Sequence, residues 1–331
     1  MYQGNQTICF DNPPHILSHY AVVGKKEGEG PLRDLFDRIE NDPYMGEDNW
    51  EKGESSFLKA AIEGALSKSE TANADFIIAG DLLNQCTASG YGIRGMNCAF
   101  LGIYGACSTM AESLIVGSAL VSGKSARRAL CATSSHFCGA EKQFRLPLEY
   151  GGQRTPTAQW TVTGSGAVIL GEDGGKVRIT HATAGKITDM GVSDANNMGG
   201  AMAPAFIDTL EAHLAASGRS AGYYDAIFSG DLGFVGKDIA IELAHNDNID
   251  LSRNYEDCGC LMFDSQTQDT HAGGSGCGCS ASVLCSYILP RLESGKYKKV
   301  LFIATGALMS PVSSMQGESI PAIAHAVAFE S

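Results

Sequence analysis

Two hydropathy patterns alternate along the chain. Short apolar runs bounded by polar turns predict buried strands, and apolar residues three or four apart predict helices. Residues 6–24 read as an opening strand or hairpin, broken at Pro13-Pro14. Residues 25–53 are charged and irregular, with short helical turns expected over residues 32–39. Residues 50–67 predict a helix with Phe57, Ala61 and Leu66 along one side. Residues 74–82 predict a buried strand that ends in a polar turn at Gly80-Asp81. Met110, Leu114, Gly117 and Val121, with Ala111 and Ile115 beside them, predict a second helix. The tight turn Gly105-Ala106-Cys107-Ser108 opens it and Gly123-Lys124 closes it. Residues 129–133 read as a strand buried on both faces.

The pattern then repeats. Residues 224–232 match residues 74–82, which pairs Asp231 with Asp81. Gly276-Cys277-Gly278-Cys279-Ser280, a helical run to about Leu292, Gly295-Lys296 and residues 300–305 replay residues 105–133. A constant offset of 172 residues separates Cys107 from Cys279 and Thr133 from Thr305. Each copy closes on a small-residue strand, at 164–170 and 325–329. A duplication of this size implies two similar α/β halves packed by pseudo-twofold symmetry. The halves are residues 1–173 and 174–331, with the boundary near 171–176. Pro290 falls inside the second central helix, where it should kink or end it.

Composition narrows the function classes. Apolar residues make up 44% and charged residues 18% of the 331 residues, enough for a substantial core. A formal charge of −13 argues against nucleic acid or an anionic membrane as direct partner. Eleven cysteines scattered through apolar segments, with no secretory signal, point to a reducing intracellular compartment. No apolar run approaches the roughly 20 residues a membrane span requires, so a soluble chain is expected.

Cys107 is the first candidate for chemistry. A thiol at a helix N-terminus meets free N–H groups and the positive end of the macrodipole, and both favour the nucleophilic thiolate. A small buried packing thiol would suit the same position. Cys258-Gly-Cys260 and Cys277-Gly-Cys279 leave one residue between cysteines, where structural zinc sites usually leave two to four. His181, His213 and His245 read as ordinary surface or helix residues.

Two halves with Gly-x-Cys-Ser opening a central helix resemble the thiolase and β-ketoacyl synthase superfamily. That resemblance implies an αβαβα fold. Closer motifs run in order along the chain: Gly80-Asp81-Leu82-Leu83-Asn84-Gln85, Tyr104-Gly105-Ala106-Cys107-Ser108-Thr109 and Ala132-Thr133-Ser134-Ser135-His136. Gln143-Phe144-Arg145 with Glu149-Tyr150-Gly151-Gly152-Gln153, Val162-Thr163-Gly164-Ser165-Gly166-Ala167, Ala201-Met202-Ala203-Pro204-Ala205, Ala272-Gly273-Gly274-Ser275-Gly276-Cys277 and Ala304-Thr305-Gly306-Ala307-Leu308 follow. Together they resemble the stage V sporulation protein AD family. The resemblance implies a non-enzymatic role: binding dipicolinic acid (pyridine-2,6-dicarboxylate) and helping to load it into the developing spore. It also implies membrane-protein partners of the same sporulation stage and peripheral association with the spore inner membrane.

Laid on the condensing-enzyme pattern, the second-half histidine slot holds Asp231, and Gly274-Ser275-Gly276-Cys277 lacks the other histidine or asparagine. Carbon–carbon condensation is therefore expected to be disabled, although His136 and His325 end strands that should converge on Cys107. An acyltransferase using Cys107 is the rival reading. The expected ligand-binding residues are Cys107, Ser108, His136, Asp231, Asp257, Ser275, Cys277 and His325. Both central helix N-termini should offer N–H groups to the two ligand carboxylates. No cofactor or metal of the protein's own is expected. Asp231 and Asp257 would suit a ligand arriving as a calcium chelate. A homodimer is expected through the first-half edge strand, with residues 136–163 in contact.

Overall fold

The computed structural model describes all residues except 1, 5, 70, 72 and 145–152. The first half carries β1 (His15–Gly24), β2 (Phe76–Gly80), β3 (Ala99–Gly102), β4 (Arg128–Ser135) and β5 (Gly164–Gly171). The second carries β6 (Arg178–Thr183), β7 (Ala226–Ser229), β8 (Tyr255–Asp257), β9 (Lys299–Ala307) and β10 (Ala322–Glu330). Hydrogen bonding orders the first set β1-β5-β4-β2-β3 and the second β6-β10-β9-β7-β8. The two orders are the same, as a duplication requires. The sets meet where β1 and β6 pair antiparallel at His15 and Arg178.

The matching is visible in single side chains. Asp75 accepts from the Arg127 and Arg128 amides at 2.7 and 2.9 Å, which fixes the start of β2 against β4. Asp225 accepts from the Lys298 and Lys299 amides at 2.6 and 3.0 Å and does the same for β7 and β9.

The main helices are α1 (Trp50–Lys68), α2 (Thr109–Ser122), α3 (Phe137–Phe144), α4 (Met198–Ser217), α5 (Gly233–Asn246) and α6 (Cys277–Val283). Helix α1 buries Phe57, Leu58, Ala61 and Ile62 on the outer face of the first half. Helix α4 does so for the second with Met202, Phe206 and Leu210. Helices α2 and α6 lie between the strand layers, in one core with Val168, Leu170, Phe302 and Phe329. The layers therefore run αβαβα. Glycine makes the central packing possible: a Cβ on Gly166 of β5 would stand 2.5 Å from the Ala281 carbonyl oxygen of α6.

Sequence pattern and structure agree on the main elements and differ in detail. Residues 32–39 form only a short turn, Arg33–Leu35, before a strand at Arg38–Glu40 joins the end of β1. Pro290 does not end its helix. A wider, π-type turn at Leu284–Ile288 precedes it, and Leu289–Glu293 continues as helix. Such a turn re-spaces the backbone ladder where proline has no N–H to give. His181 and His213 are buried, contrary to expectation. His213 bridges Thr183 Oγ1 at 2.8 Å and the Tyr224 hydroxyl at 2.6 Å. Among the described residues no helix is long and apolar enough to cross a membrane. Arg145 and Glu149-Tyr150-Gly151-Gly152, two of the motif stretches, lie outside the described residues. So does part of the expected 136–163 contact.

Candidate functional site

The turn before α2 is stitched from within. Ala106 adopts φ 50°, which lets the chain reverse sharply and present Cys107. The Gly105 amide donates to Thr109 Oγ1 at 3.0 Å, and the Ser108 and Thr109 amides donate to the Gly105 and Ala106 carbonyls. The Ser108 hydroxyl also turns back, donating to Gly105 O at 2.6 Å. Ser108 therefore builds the turn and does not line the cavity beside it.

Across the interface between the halves, Asp231 follows β7 and is wholly buried. The Gly276 amide at 2.8 Å and the Ser275 hydroxyl at 3.2 Å donate to its Oδ2, and Thr305 Oγ1 donates to its Oδ1 at 2.9 Å. Cys107 lies beside this carboxyl group. Gln159 locks the backbone behind this set, its Nε2 donating to Asp231 O at 2.6 Å and Gly274 O at 3.0 Å. Burial, reduced by these donors, brings the Asp231 carboxyl up to about 7. Burial first and the Asp231 charge second push the Cys107 thiol well above its ordinary range. The expected thiolate is thus overruled. The helix-end effect is typically only about 0.3–1 kcal/mol and about 2 at best.

A cavity of about 40 Å³ opens beside Cys107. It has room for about three waters at roughly 10–15 Å³ each. Leu82, Tyr104, Ala106, Ala140 and Phe144 come from the first half; Met198, Met202, Ser275, Ala307 and Met309 come from the second. Three flexible methionines make the second-half wall adaptable to a larger occupant. Of the expected residues, Cys107 and Ser275 line this cavity, and Asp231 lies behind them, bonded to Ser275.

The others do not line this cavity. His136 donates from Nε2 to the Pro43 carbonyl at 3.0 Å, outside the Cys107 site. His325 accepts from the Gly185 amide at 3.1 Å, and burial lowers it to about 4. The expected convergence of these two histidines on Cys107 is corrected: each ring is turned to a backbone partner elsewhere. Asp257 is filled by donors, namely Ser229 Oγ at 2.6 Å and the Leu232, Gly233 and Cys260 amides at 2.8, 2.9 and 3.0 Å. It caps a short helix at Cys258–Met262 and has no oxygen left over for a calcium ion. Cys277 packs against Cys107, but its thiol donates to the Ser134 carbonyl at 2.9 Å, away from the cavity. The α6 amides are likewise engaged, Gly276 by Asp231 and Gly278 by Ser135 Oγ at 3.1 Å. Tyr104, Gln159 and the methionine wall were not among the expected residues. Of these, Tyr104 and Met202 each fall within a family-like motif; Gln159, Met198 and Met309 carried no signal.

This arrangement of duplicated halves around a buried cysteine turn is that of the thiolase-like class. The chain superimposes on human mitochondrial 3-ketoacyl-CoA thiolase in complex with CoA with a TM-score of 0.60, at 13% identity over 99% of this chain and 100% of that one. For 3-oxoacyl-[acyl-carrier-protein] synthase III from Aquifex aeolicus the TM-score is 0.58, at 13% identity over 96% and 100%. These likenesses define the fold. Within it, the chain belongs to the Stage V sporulation protein AD family, whose profile matches residues 4–330. It is 44% identical over 329 residues to Stage V sporulation protein AD of Bacillus subtilis (strain 168), covering 99% of this chain and 97% of that protein.

Proposed function

We propose that this chain binds dipicolinic acid in the cavity beside Cys107 and serves in loading it into the developing spore, alongside membrane proteins of the same stage. One observation carries the reading. The nucleophile's position keeps its turn and its cavity, but its partner is Asp231, a carboxyl group that when ionised opposes the thiolate, where the condensing-enzyme pattern has histidine. A protonated thiol beside a carboxylate is a poor acyl acceptor, because both the nucleophile and the oxyanion donor are weakened. What is left is a small cavity with hydroxyls and apolar walls, and its flexible methionines let it widen around a compact ring. Calorimetry of the full chain with dipicolinate tests it. Saturable binding is expected, kept in Cys107→Ala and lost in Ala140→Leu, which fills the cavity. A stoichiometric mass gain on Cys107 after incubation with acetyl-CoA would instead favour the acyltransferase.

The expected homodimer joins this proposal. Strand β3 lies at the edge of its sheet, and Phe100, Leu101 and nearby Tyr104 are exposed there. An apolar unpaired edge invites a second copy. Light scattering should give twice the chain mass, and Leu101→Lys should return it to the monomer.

A further inference from the structure

We infer that an anionic ligand enters the Cys107 cavity together with a proton that settles on Asp231, so that binding is coupled to proton uptake. This rests on the dipicolinate reading and adds the ionisation state in which the site accepts its ligand. Three observations carry it. Among the described residues the cavity lining holds no lysine, arginine or histidine to meet a carboxylate. Five of the amides around the two helix starts are already engaged, at Gly105, Ser108 and Thr109 by their own turn and at Gly276 and Gly278 by Asp231 and Ser135, which leaves few to meet an anion. The one titratable carboxyl in contact with the lining is Asp231, bonded to Ser275 and adjacent to Cys107.

The surroundings leave Asp231 as the group that must change. Cys107, Cys258, Cys277 and Cys279 face it from the α2 turn, the helix after β8 and α6, and burial keeps all four thiols protonated. Asp257, the nearest other carboxyl, is held by four donors and does not reach the cavity. Glu54 and Asp81 lie beyond Cys277, and burial raises both. Tyr104 at the mouth is a neutral hydroxyl, raised by burial. No cation among these neutralises a bound carboxylate. An ionised Asp231, buried behind the cavity lining, therefore repels the ligand at close range, where burial limits screening of like charges. Protonation removes that charge and takes one acceptor position on a carboxylate that now accepts three hydrogen bonds. The balance is simple: ligand anion, plus ionised site, plus one proton from solvent gives the complex with neutral Asp231.

Calorimetry of the full chain with sodium dipicolinate from pH 6 to pH 8 tests the coupling, at constant ionic strength. The ligand's carboxyls are ionised throughout this range. With Asp231 titrating at about 7, affinity should fall about tenfold between pH 6 and pH 8. Repeating the titration at pH 8 in buffers of different ionisation enthalpy should show about one proton taken up per ligand bound. Asp231→Asn should bind with little pH dependence, and Thr305→Val, which removes a donor from Oδ1, should move the profile to higher pH. A flat profile with no proton uptake in the unaltered chain overturns the coupling and leaves the binding reading standing. A profile that persists in Asp231→Asn overturns the assignment to that residue. Absence of binding at every pH overturns both.

Discussion

Duplication gives the molecule two corners of one design, and only one of them opens. Each has a buried aspartate after a parallel strand, Asp231 in the second half and Asp81 in the first, facing the start of the other half's central helix. At the Asp231 corner the helix start carries Cys107 and a cavity remains. At the other, the thiol of Cys277 donates to Ser134 O, and the Ser134 hydroxyl donates to Glu54 Oε1 at 3.1 Å. Asp81 is spent on its own loop, accepting from the Leu83 amide at 2.9 Å and from the Ser89 amide and hydroxyl at 2.7 and 2.6 Å. The closed corner is sealed by backbone. Gly278 lies 172 residues after Ala106, and a Cβ on it would stand 2.4 Å from Gly164 O. The corners thus differ in how closely neighbouring backbone approaches the helix start, not in the order of their elements.

Sealing has a cost that should be measurable, and this is the largest effect expected. Glu54 Oε2 is buried with no partner, and burial with nearby Asp81 raises this carboxyl well above 4.5. A carboxyl raised in the folded state stabilises the fold only while protonated. As pH rises above 4.5 the unfolded chain ionises first and the fold loses relative stability. Glu54→Gln keeps the Ser134 bond and removes the ionisation. It should match the parent at pH 4.5 and then gain up to about 1.4 kcal/mol per pH unit until Glu54 ionises in the fold. Urea unfolding at several pH values checks this. A constant difference across pH would mean that Glu54 is not held neutral.

The next effect separates the corners by size alone. Gly278→Ala installs at the closed corner the residue that the open corner carries. Backbone cannot yield as a side chain can, so a loss of about 1–3 kcal/mol is expected. The reciprocal Ala106→Gly should cost under about 1 kcal/mol, since Ala106 already sits at φ 50°, where glycine is at ease. Equal stabilities for Gly278→Ala and the parent would show that the second corner is closed by something other than contact.

Much of this comparison was legible in the sequence, and the limits have physical causes. The 172-residue offset pairs the central helices, and the repeated strands pair Asp81 with Asp231. Those pairings announce two halves of one topology, which the matching strand orders show, and the condensing-enzyme resemblance is what set Asp231 opposite Cys107. Side-chain direction was not legible. His136 follows β4, but His325 lies near the start of β10, and Pro43, 93 residues from one, and Gly185, 140 residues from the other, supply their partners. Ser108 looks like a ligand group by type and spends its hydroxyl on its own turn. The helix-end amides look free in a sequence because a helix leaves its first N–H groups unpaired. Asp231 and Ser135 reach the α6 amides from far along the chain, and no local pattern announces that.

The smallest expected effect tests whether the two corners differ in charge as well as in size. Thr133 and Thr305 are equivalent by the same offset. Thr133 Oγ1 donates to the Cys277 carbonyl at 3.0 Å, a neutral acceptor, and Thr305 Oγ1 donates to Asp231 Oδ1 at 2.9 Å. Valine keeps the shape at either position; at Thr133 it removes one buried bond, and at Thr305 it removes two, because Oγ1 also accepts from the Asp231 amide at 3.3 Å. Below the Asp231 titration, which lies at about 7, these bonds join neutral groups, and each bond lost should cost about 1 kcal/mol at pH 6. At pH 8 Asp231 is ionised. The Thr305 bond then serves a carboxylate, and such bonds are worth about 1.5–3 kcal/mol. The sign follows from the raised carboxyl. Thr305→Val raises it further, so the fold's disadvantage keeps growing to higher pH than in the parent. The difference between the two variants should therefore open by about 1 kcal/mol from pH 6 to pH 8, read by chemical unfolding of each. If the two valine variants stay parallel across that range, Asp231 does not change its charge there. The open corner would then differ from the closed one only in the space it leaves.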